Sequence, residues 1–136
     1  MNLLEVVIVL TLLAILSTFA APRARAGLDG LRVRHARESA FALATRARAV
    51  ARERGGADFI LDLVNRQARV QDAGGAVLAT AHFTDCEIEV AGATATVVLS
   101  YDAHGLGRMA SRTIRFERGL AQAGLTVSSY GRVRRW

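Results

Sequence analysis

The sequence predicts an α+β fold, in which one long N-terminal α-helix packs by its C-terminal half against a small, mostly antiparallel β-domain. Three observations predict it. Residues 1–22 form an almost unbroken apolar run, residues 36–51 repeat apolar side chains at helical spacing, and from residue 57 onward strict alternation punctuated by glycine replaces that spacing. Three segments follow: a hydrophobic helix at 1–22, its amphipathic continuation at 23–54, and a C-terminal β-rich globular domain at 55–136. With about 30 residues committed to the apolar segment and its exit, roughly 100 remain, enough for one modest core and no second domain.

The apolar run sets the first constraint. A helix over residues 3–21, at about 1.5 Å per residue, reaches roughly the 30 Å of a bilayer's hydrocarbon core. Such a segment belongs in a membrane or inside a bundle of like segments. Its one carboxylate, Glu5, lies near an end, where a buried charge costs less than at the centre yet still calls for a cation. The α-amino group of Met1 is the nearest candidate. Within one chain it is too close in sequence for good geometry, whereas the amine of a neighbouring copy approaches freely. Staggered packing of several such helices follows. A cleavable secretory signal normally opens with Lys or Arg, which this chain lacks, and Glu5 has the wrong sign for that region. Two alternatives stay open beside the bundle: such a signal, cleaved at Ala20-Ala21 or Ala24-Arg25-Ala26, and a single-span anchor that does not polymerise.

Beyond Pro22, the chain's only proline, the helix becomes one-sided. Ala36, Ala40, Leu43, Ala44, Ala47, Val50 and Ala51 fall on one face, while Arg34, Arg37, Arg48 and Arg52 fall largely elsewhere, and Arg34 and Glu38 are spaced to pair. Gly55-Gly56 should stop the helix, because glycine enters the left-handed conformation without penalty. The whole rod would measure about 80 Å. Pro22 removes the hydrogen bond to the Thr18 carbonyl, and Gly27 and Gly30 lower helix propensity just after it, so residues 18–30 are expected to be soft.

Strands are expected at 59–64, 67–70, 76–79, 86–90, 94–101, 113–117 and 125–129, separated by Gly74-Gly75, Gly92, Gly105, Gly107, Gly119 and Gly124. In the clearest of them Thr94, Thr96, Val98 and Ser100 face one way and Ala95, Val97, Leu99 and Tyr101 the other. That alternation is the pattern of a sheet buried on one side.

Composition narrows the chemistry. All 18 basic residues are arginine, for a net charge of +6, but they are spread along the chain rather than gathered. One cysteine, Cys86, excludes an internal disulfide and reads as a small buried residue. His35, His82 and His104 form no nucleophile or metal constellation; His82 and Cys86 supply two ligands where a structural zinc needs four. Asp102 before His104 reads as turn chemistry. No enzyme activity, metal or cofactor is expected. The one ligand candidate is the tail, where Tyr130, Arg132, Arg134, Arg135 and Trp136 place three guanidinium groups and two aromatics within one short stretch, suited to phosphates and stacked bases.

The N-terminal pattern Met1-Asn2-Leu3-Leu4-Glu5, an apolar run and then Ala21-Pro22 resembles the mature start of the type IV pilins and type II secretion pseudopilins. Met1 stands where that family usually has Phe, and Asn2 where it has Thr. Residues 100–105, 113–116 and 125–134, ending in Gly131-Arg132-Val133, resemble the C-terminal half of the GspH/FimT group; residues 55–95 carry no resemblance. The resemblance implies α-N-methylation of Met1 after removal of a leader by a prepilin peptidase. It also implies assembly with other copies or homologous pilins through Met1, Glu5 and Pro22, and export by a pilus or secretion machinery. The chain would begin as a single-pass inner-membrane protein and end in an extracellular pilus or periplasmic pseudopilus. Arg23, Arg25, Arg32, Arg34 and Arg37 taken alone would hold the domain on the cytoplasmic side; the resemblance implies that a basic leader outweighs them. Two finer readings follow: a FimT-like minor pilin binding DNA through the arginine-rich tail for natural transformation, and a minor pseudopilin of type II secretion.

Overall fold

The computed structural model describes residues 2–136. One helix, α1 (Leu3–Arg54), is followed by eight strands: β1 (Gly56–Asp62), β2 (Gln67–Asp72), β3 (Val77–His82), β4 (Glu87–Val90), β5 (Thr96–Asp102), β6 (Arg112–Arg118), β7 (Ala121–Val127) and β8 (Val133–Arg135). Gly55 closes the helix in the left-handed region, at φ 81°, as the glycine pair requires. The helix runs unbroken across Pro22, Gly27 and Gly30. A missing N–H removes only one hydrogen bond from a ladder of 52 residues, and the soft region expected at 18–30 remains helical in the single chain.

The strands form two four-stranded sheets, ordered β3-β2-β1-β5 and β4-β6-β7-β8, and every strand pair is antiparallel. Both sheets pack on one face of α1. Val33, Ala36, Ala40, Leu43, Ala44, Ala47, Val50 and Ala51 are buried there, and all seven residues expected on that face are among them. Alanine dominates because a side chain of one carbon lets the sheets close onto the helix backbone. The sheets supply the bulk of the core: Phe59, Leu61, Val70 and Leu99 from the first, Ile114, Phe116, Leu125 and Val127 from the second. Phe83, in the loop between β3 and β4, meets Phe116 with ring centroids 5.4 Å apart and planes tilted by 56°.

Alternation in β5 is as the sequence predicts, with Val97, Leu99 and Tyr101 buried and Val98 turned out. Three expectations need correction. Glu38 does not pair with Arg34, whose Nε donates instead to the Gly30 carbonyl at 3.1 Å; Glu38 is taken by Arg37 and Arg135. Gly124 does not separate strands but sits inside β7, where the Trp136 ring covers the bare backbone. The tail, for which no strand is expected beyond residue 129, forms the edge strand β8 at Val133–Arg135 beside β7.

Candidate functional site

Two regions carry the residues singled out by sequence, the exposed half of α1 and the outer face of β7 and β8. In α1 the entire most apolar stretch is uncovered by the rest of the chain, and no residue before Val33 joins the core. The covered half of the helix anchors the domain, and the other half extends from it as a bare apolar rod. Asn2 caps this rod with extended backbone dihedrals of −82° and 143°. One Glu5 carboxylate oxygen accepts from the Asn2 N–H at 3.0 Å, so Glu5 serves first as the acid that its own helix start favours. Met1, the expected partner and modification site, lies outside the described residues. Pro22 is exposed on the helix opposite the turn between β6 and β7, and borders a notch with Gly119, Leu120 and Ala121.

The tail divides into two faces. Strand β8 pairs with β7 so that Thr126 stands opposite Arg134 and Leu125 opposite Arg135. Since Leu125 and Val127 are buried, Thr126 and Arg134 lie on the outer surface. Trp136 joins them there; its indole N–H donates to Thr126 Oγ1 at 3.3 Å, its ring lies on Gly124, and its backbone exchanges two hydrogen bonds of 3.0 Å with Gly124. Arg132 and Tyr130 are exposed in the preceding turn, which Ser128 braces by accepting from the Arg132 N–H at 3.1 Å.

Arg135 points the other way. Its guanidinium binds Glu38 at 2.8 Å and covers the Phe41 ring at 4.6 Å. Arg37 adds a hydrogen bond of 3.0 Å to the Trp136 main-chain oxygen. The Arg135 hydrogen bond, opposed by desolvation and aided by Arg37, holds the Glu38 carboxyl below its ordinary value. The structure therefore does not gather three free guanidinium groups. Among the described residues, Arg132 and Arg134 make no side-chain hydrogen bond or ion pair, whereas Arg135 is fixed to the helix.

Sequence reasoning missed the residues on α1 that hold this end of the chain. Arg37, Glu38 and Phe41 clasp β8, and higher up Arg48 Nε donates to the Gly105 carbonyl at 2.8 Å and Arg52 Nε to the His104 carbonyl at 3.3 Å. One signal was present: Glu38 is the one acid amid the arginines of residues 34–48, with Asp29 and Glu53 lying toward the two ends of the amphipathic half-helix. With Arg34 and Arg37 both at helical reach, spacing could not reveal a partner 97 residues away.

The expected turn at Asp102 is built as read. Its carboxylate accepts from the N–H groups of Leu106 at 3.0 Å and His104 at 2.9 Å, which hold it below its ordinary value. Burial pushes the Cys86 thiol up, in keeping with a buried, unreactive side chain. His35, His82 and Cys86 border a common cleft between α1 and the loop after β3. No cluster of three or more His, Cys, Asp or Glu placed to hold a metal occurs among the described residues.

No protein-family model and no curated protein matches this sequence. Solved structures do match its shape. The type IV minor pilin FimU of Pseudomonas aeruginosa superposes with a TM-score of 0.61 at 19% identity, covering 76% of this chain and 87% of FimU. The chain has the pilin fold. A second crystal form of FimU gives a TM-score of 0.60 at 20% identity, over 76% of this chain and 91% of that one. The minor pseudopilin EpsH from the type 2 secretion system of Vibrio cholerae gives 0.55 at 12% identity, over 72% and 93%. In this pilin fold the apolar rod leaves at one end of the β-domain, and the arginine-bearing face of β7 and β8 stays open to solvent.

Proposed function

We propose that this chain is a structural subunit of a type IV pilus-like or pseudopilus filament, held in the inner membrane by residues 3–21 and then packed through them into the filament core. The observation that carries this reading is the bare half of α1, since none of its apolar side chains finds cover within the chain. The pilin fold supports it. In lipid the rod gains little from apolar burial, because hydrocarbon tails are as apolar as leucine, so specificity must come from close packing and polar contacts. Glu5 is the polar group available. One of its oxygens is engaged by the Asn2 N–H, and the other has no partner among the described residues and would take the N-terminal amine of a neighbouring copy. At about 4 Å and an effective dielectric near 20 such a pair is worth at most roughly 4 kcal/mol, comparable to the cost of leaving an acid unpaired in a bilayer. The β-domain would then coat the outside. On this reading a prepilin peptidase exposes and methylates Met1, and the pilus or secretion machinery draws the subunit from the inner membrane.

Glu5→Ala should leave the chain membrane-inserted and its far-UV spectrum unchanged while lowering its incorporation into fibres, scored by immunogold microscopy. Normal fibre yield from this variant would overturn the Glu5 contact. Mass spectrometry of the first residue tests the methylation.

A second reading is favoured by one observation, the two unpaired guanidinium groups of Arg132 and Arg134 beside the exposed rings of Tyr130 and Trp136. Such a face suits the phosphates and bases of DNA, as in a DNA-binding minor pilin. An Arg132→Ala/Arg134→Ala variant should bind duplex DNA more weakly and flatten the slope of log affinity against log salt by about 1.8, two phosphates at roughly 0.9 each. An unchanged slope removes this reading.

A further inference from the structure

The turn between β6 and β7 carries a leucine with no cover at all. Leu120 is 103% exposed, more than any other large apolar residue of the β-domain. Turn tips normally carry Gly, Pro, Asn, Asp or Ser, so a leucine at the end of a hairpin departs from turn chemistry. Its position in the fold is specific. Arg118, at the end of β6, binds Asp29 of α1 at 2.8 Å and also reaches Asp85, so the hairpin is pinned to the helix two residues before the tip. From that pin the tip turns back along the helix, where Gly119, Leu120 and Ala121 face Ala21, Pro22, Arg25 and Ala26 across an open notch.

Depth decides what meets the tip. Ala21 ends the apolar run, so it marks the edge of the hydrocarbon if residues 3–21 span. Asp29 lies eight residues further, about 12 Å along the helix axis, whereas the headgroup layer on each side of a bilayer is only about 5–8 Å thick. Asp29 and Arg118 are therefore in water. Leu120 lines a notch that runs along the helix from Ala21 to Asp29, so the tip stands between the edge of the hydrocarbon and the water, at the headgroup layer. Two exposed guanidinium groups, Arg23 and Arg25, stand at the same level. A leucine beside arginines at this depth matches an anionic phospholipid surface, apolar contact with the upper acyl chains and charge with the phosphates.

We propose that the β6–β7 tip is a second membrane contact, in which Leu120 enters the bilayer interface beside the exit of α1 while Arg23 and Arg25 hold anionic headgroups. The contact fixes the tilt and rotation of the β-domain over the membrane before assembly, since a helix exit alone leaves both free. It rests on the reading of residues 3–21 as a span.

The test places the full chain, one copy per disc, in nanodiscs containing phosphatidylglycerol. An environment-sensitive fluorophore is attached at Leu120→Cys, or at Ala103→Cys beside Arg52 at the far end of the helix. Cys86 is buried and is retained, or replaced by Ala if mass spectrometry finds it labelled. Variants are accepted only with the parent's far-UV spectrum. The expected result is blue-shifted emission at position 120, with quenching by shallow spin-labelled lipids several-fold stronger than at position 103. Equal, water-like behaviour at both positions overturns the proposal while leaving the span intact. Shielding of position 120 that develops only with several copies per disc assigns the tip to a neighbouring copy and also overturns it. Failure of the chain to enter the discs at all removes the span itself, a result distinct from the other two.

Discussion

Gly131 lies under two constraints that a glycine alone meets. Its φ is +82°, and a Cβ there would lie 2.5 Å from the Tyr101 ring and 3.0 Å from the Gly107 nitrogen. The Tyr130-Gly131-Arg132 sequence invites reading as a ligand motif, but its glycine lets the chain before β8 pass over Tyr101, where the Gly107 N–H also donates to the Tyr130 carbonyl at 3.0 Å. Gly131→Ala should cost about 2–4 kcal/mol, combining a left-handed penalty with forced repacking. Arg132→Ala, one residue on, should change stability by less than about 0.5 kcal/mol because that side chain is exposed and unpaired. Urea unfolding of the full chain in detergent measures both. A mild Gly131→Ala would mean that the loop and tail are not packed as described. The pair of variants separates what the motif does for the fold from what its arginines do for a ligand.

At the scale of elements, β8 is the one whose hold depends on titratable chemistry. Three contacts bind it to α1: Arg135 to Glu38, Arg37 to the Trp136 oxygen, and Arg135 over Phe41. Glu38 is depressed in the folded chain, so its contribution is fully present above its ordinary value of 4.5 and is lost as pH falls through the lower folded value. Trp136 is the chain's single tryptophan and lies beside this clasp, so its emission reports on β8 directly. Emission should stay constant from neutral pH down to 4.5 and shift red only below that, whereas Glu38→Gln should show the red-shifted spectrum already at neutral pH. A Glu38→Gln spectrum identical to the parent's throughout would show that the ion pair does not hold the strand. Legibility in the sequence follows the same division. Helix α1 and its buried face were readable because periodicity is local and Gly55 marks the stop. Strand β5 was readable for the same reason, its alternation being complete. Strand β8 was not, because Val133–Arg135 is too short and too charged to signal a strand, and its stability comes from β7 and α1. Gly124 was misread as a separator because the ring that covers it belongs to a residue far along the chain. In the candidate site, Glu5 and Pro22 were visible as breaks in an apolar run, but the division of the tail into free and clasped arginines needed the register of β8.

For the molecule as a whole, the two halves of α1 differ in cover, one packed against the sheets and the other bare. No core residue precedes Val33, and the lowest clasp along the helix is Asp29 with Arg118. Everything stabilising the β-domain should therefore survive removal of the apolar rod. A fragment of residues 27–136 keeps that clasp, the alanine face and both sheets, and loses side chains whose burial requires a membrane or another copy. It should be monomeric in aqueous buffer by light scattering, with a melting temperature within a few degrees of the full chain in detergent, because a loss of under about 1 kcal/mol shifts a domain of this size by roughly 4–8 °C at most. The full chain without detergent or lipid should associate through residues 3–21. A fragment that aggregates, or that loses the near-ultraviolet signal of Trp136 while keeping its secondary structure, would show that the rod contributes to the β-domain's packing. In that case the proposed transfer of the rod into a filament would have to be coupled to a change in the domain, rather than leaving the domain as the fixed body that the buried face of α1 describes.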